Sequence, residues 1–260
     1  MGLSAAGAAL AAAVAVVAFG AVGSSGVPSA TAAFEKAATL TAASAERSGS
    51  VEVRMTHDGE VWVERTIRWN GGDLALSSDT PRRAKRPGTD LLVVDGIMYG
   101  IDADGRWVAM GSPRNIDPDS GTTPNEYLAA VREDVGGATL RRITDGMTGL
   151  TTRTLADGST VYNGAVAAGL IARESGFKEG QAIRVLPFGY VAHDQAADPA
   201  NPLQTAVKVG PEGVVREIAV TWGAWTYTVT YSKLGETAAP KAPENPRDLL
   251  KERLRKAGRG

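Results

Sequence analysis

Apolar positions recur with two different periods along this chain, and the switch between them marks the first element boundary. From residue 34 to about residue 47 the spacing is helical. Phe34, Ala37, Ala38, Leu40 and Thr41 fall on one side, with Glu35, Lys36 and Glu46 elsewhere, and Gly49 predicts the end of the helix. From residue 51 the period becomes two: Val51, Val53 and Met55 alternate with Glu52, Arg54 and Thr56. Asp58-Gly59 predicts a tight hairpin, because both central positions of the favoured turn need positive φ. Val61, Val63, Ile67 and Trp69 carry the apolar face onward, and Asn70-Gly71-Gly72 turns the chain again before Leu74 and Leu76.

The alternation continues over residues 91–95, 97–101 and 106–110, the most regular part reading VVDGIMYGIDADGRWVAM. Residues 125–135 (NEYLAAVREDV) predict a short amphipathic helix, opened after Pro124 and closed by Gly136-Gly137. Further strands are expected at 139–144, 150–155, 160–163, 183–186, 205–209, 214–222 and 226–231, with a second helix over 165–174. Many short strands joined by tight turns build an antiparallel sheet that curls, not a parallel one. The expected class is therefore α+β, a curled antiparallel meander with two or three short helices. No internal repeat or linker divides it, so residues 33–240 are expected to form one domain.

Composition narrows the function. Hydrophobic residues are 43% and charged residues 22% of 260, a globular balance. A formal net charge of -1 argues against nucleic acid as a partner, since neutralising phosphates needs a basic excess. There is no cysteine, which removes disulfides, thiolate catalysis, thiolate metal sites and a lipid-modified N-terminal cysteine.

The two ends differ from the middle. Residues 3–22 carry no charge and are almost all Ala, Val, Gly and Leu, and the first ionisable side chain is Glu35. Such a run suits a signal-peptide core or a weak membrane anchor. Ala30-Thr31-Ala32 resembles a signal peptidase site, while the basic residues expected before the apolar core are missing. Residues 1–32 are thus read as an export segment, cleaved or retained. Past Leu234, residues 237–246 are rich in Ala and Pro and predict an extended exit. The end, PRDLLKERLRKAGRG, predicts about three helical turns. From Lys241 onward seven basic and three acidic residues give +4. Residues 241–260 make a basic tail, either simply solvated or attracted to anionic lipid or wall polymer.

Candidate chemistry is sparse. His57 and His193 each precede an aspartate, but neither belongs to a zinc-type pair, and no nucleophile elbow or phosphate loop occurs. Asp102-Ala103-Asp104-Gly105 and the run 117–121 (DPDSG) look faintly like calcium loops but lack the further ligands. Turn formation explains the first better. The loop 81–87 (PRRAKRP) packs four cations between two prolines, as a solvated loop or a contact for headgroups. No catalytic residue, metal site or cofactor is expected, and the protein is read as not an enzyme.

Three stretches carry a resemblance. TAAFEKAATLTAASAERSGSVEVRM runs from a helix into a first strand. VVDGIMYGIDADGRWVAM makes hairpins of a Gly-x-x-Tyr and Gly-x-Trp kind. WTYTVTYSKLGETAAPKAPEN is a last strand with a Gly-Glu and Pro exit. Together they resemble the LolA-like group of cell-envelope proteins, especially the actinobacterial LppX/LprG-type lipoproteins. The resemblance implies a half-barrel whose concave face is covered by the helices, with an enclosed apolar cavity that carries acyl chains. It also implies cavity-lining residues, for which Val51, Val53, Ile67, Trp69, Leu92, Ile97, Tyr99, Trp107, Leu128 and Val131 are the candidates. Alternation alone does not fix which sheet face is inward, since a slip of one residue reverses every assignment. The chain departs from typical members in having no lipobox cysteine, so attachment would fall to the run 3–22.

The resulting expectation is an exported envelope protein, at the outer face of the cell membrane or secreted, that binds a lipid or another long apolar ligand. Its partners would be that ligand, the membrane surface through residues 3–22 and the basic tail, and an envelope protein. The alternative is a membrane-tethered interaction or stress-sensor domain of the same fold.

Overall fold

The computed structural model describes residues 29–79, 91–102, 104–111, 129, 137–171, 200–249, 251 and 255. The chain begins with α1 (Ala30–Ala45) and then forms β1 (Ser48–His57), β2 (Glu60–Asn70) and β3 (Asp73–Asp79). After β4 (Leu91–Val94), β5 (Ile97–Ile101) and β6 (Trp107–Gly111) comes α2 (Gly137–Gly146). The second half holds β7 (Thr148–Thr154), β8 (Thr160–Ala167), α3 (Ala168–Ile171), β9 (Pro202–Val209), β10 (Val215–Trp222), β11 (Trp225–Ser232) and β12 (Arg247–Asp248).

All strands join one 12-stranded sheet in the order β12-β6-β5-β4-β3-β2-β1-β11-β10-β9-β8-β7. Two meanders, β1 to β6 and β7 to β11, spread in opposite directions from a seam where β1 pairs antiparallel with β11. The sheet is curled and open, with helices on its concave side. Among the described residues no helix is long and apolar enough to cross a membrane.

Local chemistry explains the turns. Asp58 and Gly59 both have positive φ (50° and 80°), as do Asp95 and Gly96 (51° and 73°), the geometry that lets a two-residue loop follow the twist of its strands. The β5–β6 connection is held by the Asp102 carboxylate, which accepts from the amides of Asp104 and Arg106 at 2.9 Å each. A carboxylate engaged with its own loop in this way is a turn former, as the sequence indicates.

Helix α1 starts at Ala30, earlier than the apolar spacing predicts, because Ser29 caps it by accepting from the Ala32 amide at 3.2 Å. Phe34, Ala37, Ala38, Thr41 and Ala45 form its buried stripe. The strand expected at 139–144 is instead helix α2. Its short run TLRRIT fits either period, and packing decides: Thr139, Leu140, Ile143 and Thr144 are buried together on one helical face. The helix expected over 165–174 is strand β8 up to Ala167, followed by the helical residues of α3, and 172–174 lie outside the described residues. The helix at 125–135 apart from the single helical residue Ala129, the strand at 183–186, the loops at 81–87 and 117–121, His193 and the run 3–22 lie outside the described residues.

The C-terminal exit adds an element that alternation does not foretell. Asn70 Nδ2 donates to the Thr237 carbonyl at 2.6 Å, and the Thr237 amide donates to Ser48 Oγ at 3.3 Å. The chain then reaches the far edge of the sheet, where β12 pairs parallel with β6. Arg247 there meets Asp102 at 2.8 Å.

Candidate ligand-binding wall

Strand registers sort the side chains into two faces. Directly paired residues point to the same side. Val51 pairs with Ile67 and Tyr231, Val53 with Arg65 and Val229, and Met55 with Val63 and Tyr227. Val229 continues to Ile218, Val207 and Tyr162, and Tyr227 to Val220 and Thr205. Trp69 and Leu74 pair above them, followed by Val93 and Met98. This concave face is apolar and closed to solvent, with Val51, Val53, Ile67, Trp69, Ile218, Val229 and Tyr227 all at 0% exposure.

Helix α1 crosses that face obliquely. Phe34 stacks on Tyr162, ring centroids 4.9 Å apart, and burial pushes the Tyr162 phenol above its ordinary pKa. Thr41 Oγ1 accepts from the Val215 amide at 2.7 Å. Trp69 Nε1 donates to the Ala45 carbonyl at 2.7 Å. The helix thus meets β8 through Phe34, β10 through Thr41 and β2 through the carbonyl of Ala45. Arg65 lies four residues back from Trp69 along β2, about 13 Å away at the rise of an extended strand. Helix α2 packs beside α1, and Arg142 ties it to α3 by donating to the Leu170 carbonyl at 3.0 Å.

The far end of the wall is aromatic. The hairpins β1–β2 and β10–β11 lie side by side, joined where the Asp58 amide donates to the Ala224 carbonyl at 3.0 Å. His57 and Trp225 rings are 4.3 Å apart, and Trp62 and Trp225 meet edge-on at 5.2 Å. A register shift between Met55 and Thr56 places Trp62 as the extra residue of β2 beside this group. The position of Trp62 beside this group depends on that bulge.

The predicted lining residues divide. Val51, Val53, Ile67 and Trp69 share the concave face. Leu92 pairs with Tyr99, Ile97 with Val94, and Trp107 with Ile101, all on the opposite face. The reason is parity: Tyr99 traces back through Leu92 and Ala75 to Arg68, which alternates with Ile67 and Trp69. These eight residues therefore do not form one wall. Leu128 and Val131 lie outside the described residues. Alternation misses Arg65 because it reads as a polar interruption; only burial, at 5% exposure, reveals it as part of the wall.

Among the described residues no group of three His, Asp or Glu side chains is placed to hold a metal. His57 and Asp58 are 3.5 Å apart at an open hairpin tip.

No protein-family model matches this chain, and no characterised protein matches it in sequence. Solved structures do. LprF from Mycobacterium bovis aligns over 83% of this chain and 97% of its own, at 15% identity and TM-score 0.51. The Mycobacterium tuberculosis lipoprotein LppX aligns over 82% and 100%, at 15% identity and TM-score 0.48. A LolA superfamily protein from Nitrosomonas europaea aligns over 82% and 96%, at 10% identity and TM-score 0.27. With its curled antiparallel sheet and helices on the concave side, the chain has the LolA-like fold of the LppX–LprG type.

Proposed function

We propose that this chain is an exported cell-envelope protein that shelters a lipid or another long apolar molecule between its sheet and helices and releases it unchanged. It is a carrier or chaperone without catalytic chemistry. The supporting observation is the concave face on which α1 lies, where Val53, Met55, Val63, Val220, Tyr227 and Val229 form a continuous apolar wall. Moving an acyl chain from water onto such a surface gains about 0.8 kcal/mol per methylene buried. The wall takes Val51, Val53, Ile67 and Trp69 from the predicted lining set and leaves Leu92, Ile97, Tyr99 and Trp107 outside it. Export rests on the uncharged run 3–22 and on the likeness of the fold to envelope lipoproteins. That run and the basic tail are the proposed contacts with the membrane surface.

Native mass spectrometry and solvent extraction of protein purified from its own source test this reading. The expected result is a co-purifying lipid or other apolar molecule in near-stoichiometric amount. Protein that repeatedly comes ligand-free, and that fails to take up long-chain probes when offered them, overturns it.

A further inference from the structure

The sheet ends differently at its two edges. At one edge β12 pairs with β6 through Arg247 and Asp248, and the Arg247–Asp102 ion pair at 2.8 Å fastens it there. At the other edge β7 is the last of the described strands, with β8 as its neighbour. Thr148, Gly149, Thr151, Thr152, Arg153 and Thr154 are all exposed, so both faces of this strand meet solvent. The β7–β8 turn fixes which backbone groups are left over. The Leu155 amide donates to the Ser159 carbonyl at 2.8 Å, so these two residues form a hydrogen-bonded pair. In an antiparallel ladder such pairs alternate with non-bonded ones, which makes Arg153–Val161 and Thr151–Asn163 the next bonded pairs. Thr152 and Thr154 therefore point their amides and carbonyls away from β8, off the edge of the sheet. An open row of this kind is a template for another strand.

We propose that β7 is the docking edge for a second copy of this chain, whose own β7 pairs with it antiparallel about a two-fold axis at Thr152. Two features favour a copy over an unrelated strand. The first is self-complementarity. In this register Thr152 exchanges both backbone hydrogen bonds with Thr152 of the second copy, and Arg153 falls opposite the copy's Thr151. Threonine pairs are favourable across strands, and no like charges stand directly opposite. The second is closure. The far edge is occupied by β12, so β7 cannot add head-to-tail to β6, and the assembly stops at two instead of growing into a fibre. The axis stands perpendicular to the sheet, which leaves both concave walls open to the same side. The pairing does not rest on the carrier reading, but under it two walls would face one surface together.

One seven-residue strand on each side is a small interface, so the association is expected to be weak. Sedimentation velocity of the purified full chain from about 1 μM to about 1 mM covers that range of affinity. A reversible monomer–dimer equilibrium is expected, with no larger species. Thr152→Pro removes an amide that points off the sheet, a place where an edge strand tolerates proline. It should weaken the dimer at least about tenfold, since the bonds at the axis are lost. Thr152→Lys and Thr152→Glu each set like charges opposite one another at the axis, and each alone should stay monomeric at low salt. An equimolar mixture of the two should dimerise again. In wild type, amide exchange at Thr152 should slow as concentration rises, while the Thr151 amide, which faces β8, should not change.

A monomer at every concentration, or growth past the dimer, overturns the proposal. So does a dimer that survives Thr152→Pro or either charged variant, because it must use another surface. A mixture of the lysine and glutamate variants that associates no better than each alone overturns it as well. If Thr152→Pro does not fold, the charged variants and the exchange measurement decide, since the Thr152 side chain is exposed and free to change.

Discussion

The indole of Trp69 donates a 2.7 Å hydrogen bond to the carbonyl of Ala45, joining the last residue of α1 to strand β2. That carbonyl belongs to the helix end, where backbone acceptors have no partner within the helix. The indole is fully buried, and Gly49 makes room for it: a Cβ at that position would collide with the ring. Trp69→Phe keeps most of the packing and removes the bond. It is expected to lower unfolding stability by about 1–3 kcal/mol, the cost of leaving a buried acceptor unsatisfied. Gly49→Ala is expected to cost a similar amount through overpacking, about 1–3 kcal/mol. Urea unfolding checks both, and wild-type midpoints would show that the contact does not hold α1 on the sheet.

Thr41 joins the same helix to the other half of the sheet. Its hydroxyl donates to the Ala37 carbonyl and accepts from the Val215 amide, both at 2.7 Å. Thr41→Val has nearly the same shape but cannot accept. The Val215 amide is then buried unpaired at the start of β10, and a loss of about 1–3 kcal/mol is expected. Thr41→Ser keeps the hydroxyl and should lose less. Amide exchange at Val215 should quicken in the valine variant more than at Val207, which lies deeper in the sheet.

How much of this was legible in the sequence depended on the range of the interaction concerned. Asp58-Gly59 and Asp95-Gly96 specify their turns through the φ values of two residues, so both hairpins could be read directly. The alternation of β1 and β2 needs only a half-buried strand, and it was equally plain. The run TLRRIT was misread because neither period dominates in six residues; the packing of Leu140 and Ile143 settles it. Two-residue β12 has no pattern of its own and exists because the exit strap delivers Arg247 to Asp102. The division of the lining residues needed long-range information. Alternation relates Ile67 to Trp69, and Ile97 to Tyr99, but only the pairings through β3 and β4 show that the two sets face opposite ways.

Asp157 makes the β7–β8 turn sensitive to acid. The Ser159 amide donates to its carboxylate at 2.9 Å, and Lys208 meets it at 3.0 Å. The Ser159 bond foremost, with the lysine, lowers its pKa from 3.8 to about 2. A carboxyl group more acidic in the folded state stabilises the fold above its unfolded pKa. That contribution is lost as pH falls through the folded value. The stability gap between wild type and Asp157→Asn should therefore be constant above about pH 5 and close as the pH approaches 2. Thermal unfolding of both proteins at stepped pH measures it. A gap independent of pH over that window would show that the turn does not depend on the ionised carboxylate.

The two faces of the sheet make opposite predictions for guest binding. Ile97 and Trp107 lie on the face away from α1, whereas Met55 lies on the concave face, paired with Val63 and Tyr227 and one row from Arg65. Met55→Trp adds volume where the acyl chain is proposed to lie. It should weaken binding of a long-chain probe by at least about tenfold, beyond the ~1–3 kcal/mol that overpacking costs the fold. Ile97→Thr and Trp107→Leu remove apolar surface from the other side. They should lower stability modestly and leave affinity within about twofold, because no bound methylene loses a contact. Probe titration read beside each variant's unfolding midpoint separates the two effects. If Trp107→Leu weakened binding as much as Met55→Trp, the guest would have to lie against the opposite face, and the wall built from Val53, Met55, Val63 and Arg65 would be a packed core instead of a binding surface.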